Sequence, residues 1–158
     1  MMTKILIENG FCWGAGVPCS ILKKEIAEIE DSEEILYIPA VDEGVALGIV
    51  NGFMLADKNA FLLTQNSAVG RVADLVMSFN IPYDFPLFWI ISMRGYKGDT
   101  AVHRSSYVAS TRILNSCGFF TWSSYGRHGK ADWNNLAEAI AVYKGTKRNT
   151  AFLRYKDD

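Results

Sequence analysis

With 158 residues, 49% hydrophobic and 21% charged, the chain is long enough to bury a core and too apolar for a disordered segment. Sixteen basic and seventeen acidic residues leave a net charge of -1, so neither nucleic acid nor an anionic membrane is an expected partner. Cys12, Cys19 and Cys117 form no CxxC pair and no basic-then-apolar leader follows Met1, which reads as a single domain, residues 1–158, soluble and cytoplasmic.

Thr3 to Asn9 predicts a short opening helix that Gly10 terminates. Phe11 to Val17 carries Gly14, Ala15 and Gly16 as a first strand and turn before Pro18. Ser20 is the candidate cap of a helix through Leu22, Ile26 and Ile29, with Lys23, Lys24, Glu25 and Glu28 toward water. Ile35 to Ile38 reads as a strand that stops at Pro39. Asp42-Glu43 then opens a helix through Val45, Leu47, Ile49, Phe53 and Leu55.

Ala60 to Thr64 is a second apolar strand that runs straight into Gln65-Asn66-Ser67, before a helix through Val69, Val72, Leu75, Val76 and Phe79. Phe85 to Met93 is too apolar to be half exposed and predicts a central strand buried on both faces. It contains Pro86 and is far too short to span a bilayer. Arg94 to Ser105 is a polar loop. A helix from Tyr107 to Asn115 ends at Gly118, and Phe119 to Trp122 is a short strand. Ser123 to Lys130 is a loop in which His128, close to Gly126 and Gly129, reads as a surface residue. Trp133, Leu136, Ile140 and Tyr143 recur at helical spacing, and Thr150 to Tyr155 closes as a strand.

Strands alternating with helices predict an α/β fold: a doubly wound, mostly parallel sheet with helices on both faces. In such a sheet ligands bind beyond the carboxyl ends of the strands. Three strands end in polar clusters, Asp42-Glu43, Gln65-Asn66-Ser67 and Arg94-Gly95, and a parallel sheet sets all three on one rim with the Gly14–Ser20 turn. Each cluster also has a plainer reading. Asp42 and Glu43 suit an N-cap and a first-turn acid, Gln65 to Ser67 suit a cap of the next helix, and Arg94 and His103 suit an exposed loop. Other sites are not supported: there is no phosphate-binding glycine loop, no metal-ligand spacing and no serine elbow. Trp122, Trp133 and the tyrosines read as core.

Gly16-Val17-Pro18-Cys19-Ser20-Ile21-Leu22, Asp42-Glu43-Gly44-Val45-Ala46, Gln65-Asn66-Ser67-Ala68, Arg94-Gly95 and His103 follow one another in a familiar order. From Phe11 to His103 the chain resembles the pyrimidine-binding domain of thiamine-diphosphate-dependent 2-oxoacid decarboxylases, nearest the phosphonopyruvate and sulfopyruvate decarboxylase group. In that family a second domain binds the diphosphate through Mg²⁺ with a Gly-Asp-Gly…Asn-Asn motif. Gly98-Asp99-Thr100 with Asn134-Asn135 imitates it, but the third position is threonine, the spacing is long and no buried strand leads directly into Gly98. The resemblance therefore implies the pyrimidine half alone, similar to the α subunit of a two-subunit enzyme, with thiamine diphosphate shared with a separate diphosphate-binding β chain that holds the Mg²⁺. A heterotetramer acting on a small anionic 2-oxoacid is the implied assembly.

By this resemblance Glu43 hydrogen-bonds the aminopyrimidine and activates the cofactor, from a water-poor pocket with Val41, Val45 and Ala46 as apolar neighbours. Pro18 borders the pyrimidine. Gln65, Asn66 and Ser67 line the substrate side, Arg94 offers a forked cation to an anionic group, with Lys97 beside it, and His103 is the candidate proton donor. The chain departs from the family pattern at Cys19, where an aspartate is usual, at Ala68, Arg71 and Asp74, and at Tyr96-Lys97, with none expected to touch Glu43. These departures leave room for an acetolactate-synthase-like carboligase subunit. A non-catalytic α/β scaffold subunit is the rival from another class.

Overall fold

The computed structural model describes residues 1–96, 99–125 and 131–156. Lys97 and His128 lie outside the described residues, so the expectations for them are not addressed further. The helices are α1 (Met2–Glu8), α2 (Lys23–Glu30), α3 (Glu43–Leu55), α4 (Val69–Leu75), α5 (Arg104–Ser116) and α6 (Asn134–Thr146). The strands are β1 (Trp13–Gly16), β2 (Leu36–Pro39), β3 (Ala60–Gln65), β4 (Phe88–Met93), β5 (Phe120–Ser123) and β6 (Thr150–Tyr155).

The strands form one sheet in the order β2-β1-β3-β4-β6-β5, and every ladder between them is parallel. The chain leaves β1 toward β2 on one side, then crosses to β3 on the other. Neighbouring β1 and β3 therefore flank a topological switch point, where an open α/β sheet forms its crevice. This is the doubly wound α/β fold expected from the alternating pattern.

Period-two alternation sorts the strand side chains between two cores. Leu62, Trp89, Ile91, Ala151 and Leu153 face the helices α3, α4 and α5, packing on Ala46, Leu47, Val50, Val72 and Leu114. Phe61, Leu63, Phe88, Ile90 and Phe152 face α1, α2 and α6, packing on Leu6, Ile26, Ile29, Leu136 and Ile140. All six residues of β4 are buried, as its continuous apolar run demands, and each large side chain there contributes about 1.5–3 kcal/mol. The strand begins at Phe88 rather than Phe85. Pro86 has no N–H to give a ladder, and the Leu87 N–H donates instead to Asn149 Oδ1 at 2.8 Å.

At the carboxyl end of β1 the sheet closes very tightly. A Cβ at Gly16 would lie 2.1 Å from the Leu63 carbonyl oxygen and 2.8 Å from the Tyr37 hydroxyl, so only glycine fits. Two expectations for α2 need correction. Ser20 does not cap it: the helix starts at Lys23 after Leu22, with no side-chain cap. Glu25 does not face water, because the first turn of α2 packs over the end of β6. There its carboxylate meets Arg154 at 3.2 Å, with both side chains about one-tenth exposed or less. Among the described residues no helix is long and apolar enough to cross a membrane.

Candidate functional site

Glu43 is the first residue of α3, directly beyond β2. Asp42 has an extended backbone and its Oδ1 accepts the Val45 N–H at 2.9 Å, so the N-cap reading of Asp42 holds. That cap turns the chain sharply and leaves Glu43 on the rim, its side chain 18% exposed. Glu43 Oε2 lies 3.5 Å from Arg71 Nη1 on α4. The expectation that Arg71 stays clear of Glu43 is therefore corrected: α3 packs on α4 and brings the two together. The apolar pocket is corrected too. Ala46 is buried, but Val41 and Val45 are 91% and 45% exposed, because the core-facing stripe of α3 runs through Ala46, Leu47 and Val50. Leu75, whose Cδ1 would meet a Cβ at Gly44 at 3.3 Å, adds a third exposed apolar side chain beside Glu43.

The second half of the rim is closed by its own hydrogen bonds. Asn66, expected on the substrate side, is buried. Its Nδ2 donates to the Arg94 carbonyl at 2.9 Å and its Oδ1 accepts the Arg94 N–H at 3.0 Å. The amide thus ties the end of β3 to the end of β4 and leaves the pocket to its neighbours. Gln65 is half-buried and donates to the exposed Ser67 hydroxyl at 2.9 Å. None of the three caps α4, which starts after Ala68 without a side-chain cap.

Arg94 is not a free fork. Its Nε and Nη2 donate to the two carboxylate oxygens of Asp99 at 2.7 and 2.8 Å, and its Nη1 donates to Ser20 Oγ at 3.2 Å. Asp99 also accepts the backbone N–H groups of Gly95 at 2.7 Å and Thr100 at 2.8 Å. The Arg94 hydrogen bonds, then the Gly95 N–H, hold the Asp99 carboxyl well below the usual carboxylate range; the same bonds raise the Arg94 guanidinium. The Arg94-Gly95 pair has a backbone reason. Gly95 has φ of +85°, and a Cβ there would lie 2.2 Å from the His103 carbonyl oxygen. The loop folds back on itself at that contact and delivers half-buried His103 to the start of α5.

Pro18 is exposed in the turn between β1 and α2. Beside it, Cys19 donates its Sγ hydrogen to Ser92 Oγ at 3.1 Å. Ser20, Met93, Arg94, Tyr96 and Asp99 line a cleft of about 900 Å³ beyond β1, β4 and β6, with Lys23, Lys24 and the Glu25–Arg154 pair on its far wall. Glu43 is not among the lining residues. Sequence reading placed Asp99 only in a rejected motif and Arg71 only among the departures, and did not foresee that four tyrosines group together. Tyr96 packs on Tyr107, Tyr125 and Tyr155 with ring centroids 5.2–5.6 Å apart, which pins the Arg94 loop to β6 and α5. Burial raises the Tyr155 hydroxyl. A loop aspartate five residues beyond a strand-end arginine was the available signal for Asp99. Among the described residues no group of three His, Cys, Asp or Glu side chains is placed to hold a metal ion.

No family model matches the chain. It is 32% identical over 92 residues to sulfopyruvate decarboxylase subunit alpha of Methanococcus maripaludis, covering 58% of this chain and 55% of that one. It is 39% identical over 79 residues to the same subunit of Methanocaldococcus jannaschii, covering 50% and 47%. Over about half its length this chain is similar to sulfopyruvate decarboxylase alpha subunits. A phosphonopyruvate decarboxylase of Streptomyces viridochromogenes is 31% identical over 85 residues, 54% of this chain and 21% of that protein. The chain spans about half the length of the alpha subunits it matches. Glu43 and Arg94 thus stand on the same rim but in different surroundings.

Proposed function

We propose that this chain is the pyrimidine-binding subunit of a thiamine-diphosphate-dependent 2-oxoacid decarboxylase, active with a diphosphate-binding partner chain on a sulfopyruvate- or phosphonopyruvate-like substrate. The observation that carries it is the likeness to sulfopyruvate decarboxylase alpha subunits in a chain whose Glu43 opens a helix at the carboxyl rim. Those relatives are named as one kind of subunit, which supports a second kind here. The exposed Val41, Val45 and Leu75 around a mostly covered carboxylate support it further, since such a surface gains by being covered.

The donor set suits an aminopyrimidine: a carboxyl on the rim, apolar neighbours and a proline turn at the end of the neighbouring strand. When bound, thiamine diphosphate supplies the electron sink for loss of carbon dioxide. Glu43 holds the ring nitrogen by its carboxyl and governs the proton there. Pro18 borders the ring, Gln65 and Ser67 face the substrate, Arg94 takes its anionic end, and His103 donates the closing proton. Mg²⁺ belongs to the partner chain, and two copies of each chain complete the assembly.

A scaffold reading has one observation in its favour: Arg71 already occupies a Glu43 oxygen. The deciding measurement is a tagged pull-down from the native cell, with thiamine diphosphate assayed by fluorescence. A co-purifying chain that retains cofactor only in the complex supports the decarboxylase. A lone chain without cofactor moves the assignment to the scaffold.

A further inference from the structure

We infer that Asp99 is the positioning residue of Arg94, fixing the guanidinium so that its outer edge makes a two-point contact with an anionic ligand in the cleft. The inference rests on the proposed role of Arg94 and adds a residue to it. A guanidinium has five N–H groups. Among the described residues two go to Asp99 and one to Ser20, which leaves one N–H on Nη1 and one on Nη2. Nη1 and Nη2 together form the end edge of the guanidinium, whose spacing suits two oxygens of a carboxylate, sulfonate or phosphonate once an incoming anion replaces or joins the Ser20 hydroxyl.

Asp99 is itself fixed from four directions, by Arg94 Nε and Nη2 and by the Gly95 and Thr100 N–H groups. Both side chains are about one-fifth exposed, so the pair is partly shielded from water yet opens on the cleft. An arginine on three soft methylenes otherwise samples many directions. Holding one of its edges removes that freedom before the ligand arrives. The attraction of the cleft for anions at a distance falls to exposed Lys23, Lys24 and Lys156, whereas the Arg94–Asp99 pair is neutral and supplies direction.

Positioning and plain charge predict opposite results for Asp99→Asn. Removing the carboxylate raises the local charge by one, so Coulomb attraction alone tightens binding of a small dianion. Positioning predicts looser binding. The test uses the isolated chain labelled with ¹⁵N and inorganic sulfate as probe, read from the Arg94 side-chain N–H signals. In the unaltered chain a protected Arg94 Nε–H signal and a saturable sulfate shift are expected. Asp99→Asn loses the protected signal and weakens sulfate roughly tenfold, and Asp99→Glu recovers part of both. Equal or tighter sulfate binding in Asp99→Asn overturns the inference, as does a sulfate titration that leaves Arg94 unmoved in the unaltered chain. Neither partner nor cofactor enters this measurement, so it stands or falls apart from the decarboxylase assignment. With a reconstituted complex, the same variant raises KM about tenfold with kcat little changed; a lowered kcat at unchanged KM contradicts it.

Discussion

The two halves of the carboxyl rim are built on opposite plans. Around Arg94, bonds within the chain fix the polar groups: Asn66 clamps the backbone, Asp99 holds one edge of the guanidinium, and Gly95 lets the loop turn under His103. Around Glu43, one ion pair to a two-thirds-exposed arginine is the visible tie, and the neighbours are bare apolar side chains. One half is braced by its own hydrogen bonds, and the other leaves apolar side chains exposed. The difference teaches where reactivity and where rigidity reside, since preorganised groups belong on fixed elements while an unsatisfied face belongs to an interface.

The largest expected effect is at Glu43. In the proposed complex Glu43→Gln keeps the size of the side chain and replaces its carboxyl by an amide. Turnover then drops by about 10²- to 10⁴-fold, the range for a positioned acid–base group. The thermal midpoint of the chain alone should barely move, because the ion pair lost is to an arginine that is two-thirds exposed. Steady-state rates and a melting curve check both halves of that statement. An unchanged rate removes Glu43 from the chemistry.

Asn66→Ala inverts the pattern. It deprives the Arg94 N–H and carbonyl of their partners and costs about 1–3 kcal/mol, a fall of roughly 3–10 °C in midpoint. The Arg94–Asp99 pair should ignore pH over the neutral range. Asp99 has a lowered folded-state pKa, so its contribution is present above the ordinary carboxylate range and is lost only in strong acid. Melting curves between about pH 5 and pH 8 should show no step from this pair.

How much of this was legible in the sequence follows from the kind of signal each feature leaves. The sheet was legible, because strand and helix periods repeat in order and β4 is apolar without a break. Glu43 at the start of α3 was legible as well, since a capping aspartate and an apolar stripe bracket it. The partners were not. Glu25 on Arg154 is separated by 129 positions and Asn66 on Arg94 by 28, and no local pattern announces such pairs. Asn66 was read outward because an amide after a strand suits both a ligand and a backbone clamp. Only the packing of β3 beside β4 chooses between them.

Arg71→Ala carries the smallest effect and tests the comparison most sharply. Its pair with Glu43 spans 3.5 Å and the arginine is 67% exposed, so water and salt screen most of the attraction. The substitution should change the stability of the chain by less than about 0.5 kcal/mol, and addition of salt to the unaltered chain should change it as little. Yet Arg71 is an ionic partner of the one carboxylate on which the decarboxylase reading depends. In that reading Arg71 must let go of Glu43 as the partner chain and cofactor arrive, so its removal should leave cofactor retention by the complex intact or improved. Loss of cofactor together with a fall in midpoint as large as that of Asn66→Ala would mean that Arg71 holds the Glu43 half together. The rim would then be one finished structure, and the scaffold reading would follow.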